Sequence, residues 1–374
     1  MGLHFFNPVP LMRIVEVVPG ARTRPELLPA LVELVRETGH AAVVVADTPG
    51  FLVNHAGRGL VTESFALLEE SVSDPTGIDR IARDVLGLRM GPFELMDLTG
   101  LDVTAAVTES IWQGFRHSDR LRPSHLTANR VAGGLLGRKT GRGFYDYGPA
   151  APAPAAVAEQ PVTGDSDRPV WVSGEGPDAD ALRAALNASG AALGTGPAPS
   201  GRAVVLCPVW GTTVAAAVAA GALPRERTLG VDPLSLTTRR RVLAMTPASD
   251  PGAVLDARAV LARSDTSGGP RDVSVVRDTA GSVAQRLLAS IVGTAASIAE
   301  RSIATPDDID KAVTAGLGYP IGPLAWGDRI GAPRLLALHE RLHRTTGDPR
   351  YRPTRWVTER AHLGLPLTEP GTAV

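Results

Sequence analysis

Residues 1–46 alternate short apolar runs with polar segments, as in an α/β unit. The runs Arg13–Val18 and Ala41–Ala46 predict two strands, and Pro25–Glu37 between them predicts a helix. The second run is short and continuously apolar, which is typical of a strand buried inside a sheet. We therefore expect this part of the chain to be the tail of an α/β fold.

Residues 47–148 carry apolar positions at helical spacing. Pro75 follows Asp74 at a point where a new helix is expected, because proline is favoured in the first helical turn. The apolar positions are Leu60, Phe65, Leu67, Leu68, Ile78, Ile81 and Leu86. This pattern predicts a helical domain. The Pro- and Ala-rich stretch 149–168 after it predicts an extended linker.

Residues 169–277 return to α/β character. The predicted strands are Val170–Val172, Ala203–Cys207 and Val273–Val276, and the predicted helices are Asp178–Leu186 and Asp256–Arg263. The uncharged stretch Ala203–Leu223 is long enough to raise the question of a membrane span. Pro208 and Gly211 interrupt it, so we interpret it as a strand, a turn and a helix.

A second helical segment, 278–366, repeats the first at a constant offset of 231 residues, as from Asp47 to Asp278. Further matched pairs are Gly50 with Gly281, Glu69 with Glu300, Asp79 with Asp310, Asp97 with Asp328 and Gly100 with Gly331. A gapless register of this length predicts two copies of one module. The offset aligns Asn54 with Gln285, and no His-Phe-Phe-Asn-Pro run precedes the second copy. We expect the first copy to carry the chemistry and the second to be scaffold at an interface.

Composition narrows the class of protein. The net charge of −1 gives no electrostatic reason to expect binding to nucleic acid or to an anionic membrane. Cys207 is the single cysteine, so a disulfide within the chain is impossible. The N-terminus has no basic region followed by an apolar segment. These features predict a cytoplasmic protein.

One charge lies inside the apolar run Ile14–Val18. It belongs to Glu16, and a buried strand should not hold a carboxylate without a partner. His4 is the natural partner, because a carboxylate bound to one imidazole nitrogen leaves the other nitrogen free to exchange a proton near neutral pH. The residues alone also allow a purely structural pair, a core histidine beside an edge-strand carboxylate.

Three separated segments resemble signatures of the L-3-hydroxyacyl-CoA dehydrogenases, in the family's order. They are Gly2–Val17, the turn Asp47–Phe51 followed by Asn54, and Gly137–Tyr147. The arrangement of helical module, linker, small α/β segment and second helical module is similar to that of the long bacterial enzymes of the family. These include 3-hydroxybutyryl-CoA and 3-hydroxyadipyl-CoA dehydrogenases, and the resemblance implies a role in fatty acid β-oxidation or phenylacetate catabolism.

The resemblance implies an oxidoreductase that interconverts 3-hydroxyacyl-CoA and 3-oxoacyl-CoA with NAD. In it, His4 would be the general acid and base, and Glu16 would orient the imidazole. Asn54 would hydrogen-bond the reacting oxygen or the thioester carbonyl. Asn7 and Lys139 would contact the cofactor near the nicotinamide. No metal is implied, the partner is an acyl-CoA substrate, and a homodimer or higher homo-oligomer is expected.

Taken alone, three of these residues have ordinary structural interpretations. Asn7 suits a turn before Pro8, Lys139 suits a solvated loop, and Asn54 suits a helix boundary.

The resemblance also divides the chain and predicts a mainly α fold with α/β segments. The predicted units are a C-terminal remnant of a Rossmann-type NAD-binding domain at 1–46, a first helical dehydrogenase domain at 47–148, the linker at 149–168, a small degenerate Rossmann-like α/β domain at 169–277 and a second helical dehydrogenase domain at 278–366.

The chain departs from the family pattern before residue 4. No Gly-x-Gly-x-x-Gly loop and no catalytic serine precede His4. The sequence therefore predicts a truncated chain that binds NAD weakly and turns over slowly. The alternative is a catalytically silent remnant that binds acyl-CoA or serves in dimerisation.

Two other motifs invite different functions. Gly174–Ala179 has the form Gly-x-Gly-x-x-Ala, but its acidic residues oppose a pyrophosphate. His339–His343 has the form His-Glu-x-x-His of zinc hydrolases, with Glu359 and His362 as conceivable third ligands. The apolar stripe of Leu335, Leu338 and Leu342 on the same helix favours a packing helix. We therefore expect neither a second nucleotide site nor a zinc site.

Overall fold

The computed structural model describes residues 1–264 and 268–372. Its N-terminal unit is a small sheet in the order β1-β2-β3, backed by one helix. The elements are β1 (Gly2–Phe5), β2 (Ile14–Val18), α1 (Leu28–Glu37) and β3 (Ala41–Val44). β1 pairs antiparallel with β2, and β2 pairs parallel with β3. The two predicted strands and the helix are confirmed, and β1 is an additional edge strand.

The first helical module follows directly. Its helices are α2 (Val53–Glu69), α3 (Pro75–Asp84), α4 (Pro92–Thr99), α5 (Leu101–Gly114) and α6 (His125–Ala132). The apolar face is buried as predicted, except that Leu68 is half-buried. α3 begins at Pro75, because the Asp74 side chain accepts a hydrogen bond from the backbone N–H of Gly77 at 2.6 Å.

The second α/β unit is a five-stranded sheet in the order β4-β5-β6-β7-β8. Its elements are β4 (Val170–Val172), α7 (Pro177–Ala188), β5 (Val204–Pro208), α8 (Val214–Gly221), β6 (Thr228–Val231), β7 (Arg240–Met245), α9 (Pro251–Leu261) and β8 (Asp272–Arg277). The predicted strand, turn and helix within Ala203–Leu223 are confirmed. The predicted start of α9 at Asp256 was too late, since Asp250 caps the helix through the N–H of Ala253.

Sequence reasoning missed β6 and β7. β6 is four residues long and contains Gly230, and β7 opens on two arginines. Arg240 is buried all the same, because it donates to Asp84 Oδ2 at 2.8 Å and also binds Glu159. Charge compensation by residues distant in sequence therefore produced a strand where the local pattern gave no sign of one.

The second helical module completes the chain. Its helices are α10 (Ser282–Glu300), α11 (Pro306–Leu317), α12 (Pro323–Ile330), α13 (Ala332–Thr346) and α14 (Arg355–Leu363). Among the described residues, α10 alone is long and apolar enough to cross a membrane, but 94% of its apolar 18-residue window is buried inside the fold.

The structure confirms the internal repeat in its backbone details. Asp79 accepts from the N–H groups of Phe93 and Glu94 at the start of α4, and Asp310 does the same at the start of α12. Gly100 and Gly331 share a left-handed backbone with φ of 96° and 89°. The boundaries of the five predicted units stay predictions, since the elements alone do not define domain limits.

Each copy of the repeat packs on the other and hydrogen-bonds to it. α2 packs against α10, and the carboxyl end of each small sheet bonds to a loop of the other copy. The N–H of Ala46 donates to Ile303 O at 2.8 Å, and the N–H of Arg277 donates to Val72 O at 2.9 Å. These pairs differ by the repeat offset, so the copies are related by a pseudo-twofold axis.

The second copy therefore serves as scaffold within the chain, because its helix α10 covers α2. The predicted homodimer or higher homo-oligomer stays a prediction.

Close packing of α2 on α10 depends on Gly59. A Cβ at this position would lie 2.7 Å from the carbonyl oxygen of Ser290, a backbone atom that cannot move aside alone. We expect Gly59→Ala to lower the free energy of unfolding by about 1–3 kcal/mol through overpacking. Urea denaturation measures this change.

Gly57 on the same helix provides the matched control. Its Cβ would make an ordinary contact at 3.4 Å with Leu317 Cδ1. Gly57→Ala should be neutral or stabilising by up to about 1 kcal/mol, because alanine favours the helix. Equal stability of the two variants would contradict the close packing of α2 on α10.

Candidate active site

His4 and Glu16 face each other across the first hairpin. They are directly opposite in the antiparallel register of β1 and β2, and His4 Nδ1 lies 2.6 Å from Glu16 Oε2. The Glu16 side chain is fully buried, whereas 35% of the His4 side chain is exposed. The pair therefore joins a buried carboxylate to an imidazole that a substrate can reach.

The second oxygen of Glu16 is also occupied. Oε1 accepts hydrogen bonds from the backbone N–H groups of Leu52 and Val53, each at 2.8 Å. These amides belong to the turn that enters α2, where the backbone has no helical partners for them. Three hydrogen bonds thus hold a carboxylate whose burial would otherwise be costly.

The turn reaches this position through left-handed residues. Gly50 has φ of 76° and Phe51 has φ of 48°, and a bulky residue in this region signals local strain. The Phe51 ring lies 5.4 Å from the His4 ring, and the Phe6 ring lies 4.7 Å from it on centroids. Aromatic neighbours and Glu16 fix the imidazole, and no hydrogen bond from a described residue occupies Nε2.

Asn54 stands in the first turn of α2, next to Val53. It is half-buried, and its side chain makes no hydrogen bond to a described residue. Its backbone carbonyl accepts from Arg58 Nε at 3.1 Å. The amide is therefore available to a ligand.

The second copy shows which residues occupy the same places. β6, β7 and β8 repeat the directions of β1, β2 and β3, and β8 aligns with β3 at the repeat offset. The strand registers then place Asp232 at the position of His4 and Val242 at that of Glu16. The offset places Gln285 at the position of Asn54.

Asp232 and Gln285 are in direct contact. Gln285 Nε2 donates to Asp232 Oδ1 at 2.9 Å, and both side chains are buried. Burial raises the pKa of Asp232 to about 7. The second copy has therefore replaced the histidine–carboxylate pair by a closed polar contact. The same geometry indicates that the position of Asn54 faces that of His4.

Comparison with known proteins identifies the family to which this chain belongs. The family model described as 3-hydroxyacyl-CoA dehydrogenase, C-terminal domain, matches residues 50–147 and 281–371, and the one described as 3-hydroxyacyl-CoA dehydrogenase, NAD binding domain, matches residues 1–48. A 3-hydroxyadipyl-CoA dehydrogenase of Escherichia coli K12 is 34% identical over 369 residues, which cover 97% of this chain and 70% of that protein. The chain belongs to the 3-hydroxyacyl-CoA dehydrogenase family.

Other members of the dehydrogenase family agree. A crystal structure of 3-hydroxybutyryl-CoA dehydrogenase from Escherichia coli K12 is similar with a TM-score of 0.80 and 33% identity, over 97% of this chain and 70% of that one. A probable 3-hydroxybutyryl-CoA dehydrogenase of Deinococcus radiodurans is 40% identical over 147 residues, which are 39% of this chain and 52% of that protein. The family is NAD-dependent.

The prediction of a truncated and weakly active dehydrogenase is not supported by these matches. The model of the NAD-binding domain itself matches at residues 1–48, which hold β1, β2 and β3.

The two residues assigned to the cofactor by resemblance lie in different surroundings. Asn7 is exposed in the loop after β1, close along the chain to His4. Lys139 lies in the turn Arg138–Thr140, where its Nζ forms an ion pair with Asp102 and lowers the pKa of that carboxyl. Among the described residues no contact links Lys139 to His4, so its cofactor role stays a prediction.

The segment around Lys139 has a clear structural task. Asp97 accepts from the backbone N–H groups of Phe144 and Tyr145 at 3.0 and 2.9 Å, and a Cβ at Gly143 would overlap Asp97. The segment Gly137–Tyr147, which carries one of the family resemblances, is therefore a loop held against α4 by Asp97.

The other two sequence motifs are occupied by protein contacts. In the His-Glu-x-x-His motif, buried His339 Nε2 bonds to Ala289 O at 3.0 Å, and His343 Nδ1 bonds to Asp348 O at 3.1 Å. Within 1–264 and 268–372, no three His, Cys, Asp or Glu side chains are grouped as metal ligands. In the Gly-x-Gly-x-x-Ala motif, Asp178 forms an ion pair with Arg334 at 2.6 Å.

Sequence reasoning missed the amides of Leu52 and Val53 and the ring of Phe51. The turn Asp47–Phe51 was recognised, but only as a landmark before Asn54. Its Pro-Gly pair signalled a sharp turn. The available clue was that buried backbone N–H groups at such a turn need a hydrogen-bond acceptor.

Glu16 should contribute to stability as well as chemistry. Glu16→Ala leaves two buried N–H groups without an acceptor, so we expect a loss of about 3–5 kcal/mol in the free energy of unfolding. Glu16→Gln keeps one side-chain oxygen for these groups and should lose less. Chemical denaturation of both variants measures the difference.

Glu26 supplies the control, because 67% of its side chain is exposed. Glu26→Ala should change the unfolding free energy by less than about 0.5 kcal/mol. The account of the Glu16 site is wrong if Glu16→Ala is as stable as Glu26→Ala.

Proposed function

We propose that this chain interconverts 3-hydroxyacyl-CoA and 3-oxoacyl-CoA with NAD(H), and that His4 is the general acid and base. The observation that carries the proposal is the bond between His4 Nδ1 and buried Glu16, which leaves Nε2 directed away from the carboxylate. A carboxylate on one nitrogen fixes the tautomer and stabilises the imidazolium that forms when the other nitrogen takes a proton.

In the oxidative direction, Nε2 of His4 accepts the proton of the substrate hydroxyl. Glu16 stabilises the resulting positive charge, and the Leu52 and Val53 amides keep the carboxylate in place. Asn54 donates a hydrogen bond to the reacting oxygen or the thioester carbonyl. Bound NAD supplies the carbon that accepts the hydride from C3. In the reverse direction His4 returns the proton.

The nicotinamide end of the cofactor would be held by Asn7 and Lys139. The exposed amide of Asn7 suits a nicotinamide carboxamide, which offers both a donor and acceptors. Lys139 would have to release Asp102 or act together with it. The substrates named for the relatives, 3-hydroxybutyryl-CoA and 3-hydroxyadipyl-CoA, are the proposed substrate class.

The competing hypothesis is a catalytically silent acyl-CoA-binding or dimerisation protein. The chain contains its own example of a silent site, in which Asp232 contacts Gln285 and Val242 replaces the carboxylate. The first copy keeps histidine, carboxylate and asparagine together, which favours the enzyme. A cytoplasmic homo-oligomer that acts in β-oxidation or phenylacetate catabolism remains part of the proposal.

Replacing His4 tests the function directly. His4→Gln removes the proton acceptor, so kcat/KM for reduction of acetoacetyl-CoA by NADH should fall by a factor of about 10²–10⁴. Absorbance of NADH measures the rate.

His362→Gln is the matched control, because His362 is exposed on α14 and lies outside the site. It should retain the wild-type rate. Equal rates for wild type and His4→Gln would exclude His4 as the acid and base, and absence of turnover by the wild type would favour the silent alternative.

A further inference from the structure

Arg58 lies one helical turn beyond Asn54 on α2. Its Nε donates to the Asn54 carbonyl at 3.1 Å, and one terminal nitrogen donates to Thr108 Oγ1 at 2.7 Å. The residue is half-buried. The other terminal nitrogen has no hydrogen bond to a described residue, so the guanidinium keeps free donors one helical turn from Asn54.

Arg58 is not paired with a carboxylate of any described residue. Two fully buried arginines, by contrast, have carboxylate partners. Arg286 binds Glu63 and Glu70, and Arg240 binds Asp84 and Glu159. A half-buried guanidinium without a carboxylate partner is available to bind an anionic group.

Two buried polar groups that interact electrostatically with Arg58 have no hydrogen-bond partner among the described residues. Tyr319 interacts with it electrostatically from the second copy, and the buried Tyr319 hydroxyl has no hydrogen-bond partner. His55 Nδ1 is also buried and unpartnered, and burial lowers the pKa of His55 to about 3, so the ring is neutral at pH 7. Burial lowers the pKa of Arg58 to about 10, which leaves it charged.

The second copy provides an internal comparison. The repeat offset aligns Arg58 with Ala289. The copy that lacks the counterparts of His4, Glu16 and Asn54 therefore lacks this arginine too.

We propose that Arg58 is a specificity-determining residue that binds a carboxylate at the far end of the acyl chain. This inference rests on the proposed function and adds the residue that would select the carboxylate-ended member of the proposed substrate class. Residues four apart on a helix have Cβ atoms about 5–6 Å from each other, which suits a short acyl chain between Asn54 and Arg58. A guanidinium with two free N–H directions matches a carboxylate. The phosphates of CoA are not the anion proposed here, because they lie on the other side of the thioester, at the end of the pantetheine arm.

The test compares two substrates of equal chain length. 3-Hydroxyadipyl-CoA ends in a carboxylate where 3-hydroxyhexanoyl-CoA ends in a methyl group. We expect the ratio of their kcat/KM values to fall at least about tenfold in Arg58→Gln, and Arg58→Lys to restore part of it. Arg83→Gln is the control, because Arg83 already pairs with Glu94 and should leave the ratio unchanged.

Titration calorimetry with the two CoA esters, without NAD, gives a second readout that does not need turnover. Wild type should bind the carboxylate ester more tightly, and Arg58→Gln should lose this preference. Thermal unfolding of each variant checks that it is folded. If the variant lowers kcat/KM and affinity for both esters equally, Arg58 does not recognise a carboxylate. If wild type binds with the preference but turns over neither ester, the proposed reaction fails and the assignment of Arg58 stands.

Discussion

The buried carboxylate of Glu16 is the constraint on which the site depends. It receives His4 from one side and the amides of Leu52 and Val53 from the other. Each of these bonds offsets part of the cost of keeping an anion out of water. The same bonds fix the distance between the edge hairpin and the first turn of α2. Stability and the proposed catalytic geometry therefore have one physical origin.

Duplication of the helical module explains the rest of the architecture. α10 covers α2, and loops of each copy bond to the sheet of the other, so the second copy supports the first even though its own site is closed. The substitutions in the second copy act as an internal comparison. They separate residues that the shared fold requires, such as Asp79 and Asp310, from those that the proposed chemistry requires.

Sequence reasoning found what local patterns encode. The strands of the first sheet, the helical repeat and the pairing of His4 with Glu16 were all accessible, because an isolated charge in an apolar strand demands a partner. It missed β7, whose Arg240 is neutralised by Asp84 and Glu159 from elsewhere in the chain. It also missed the amides that hold Glu16 and the fact that no described carboxylate pairs with Arg58. Which backbone N–H groups reach a carboxylate, and which charged side chains lack an ion-pair partner, depends on tertiary structure and cannot be predicted from residue types.

Nitrogen-15 NMR of the His4 imidazole tests the central claim most directly. At a pH where the ring is neutral, the account predicts that Nδ1 carries the proton toward Glu16 and that Nε2 is unprotonated. This preference should weaken in Glu16→Gln. A neutral ring protonated at Nε2, or the same tautomer mixture in both proteins, would contradict it.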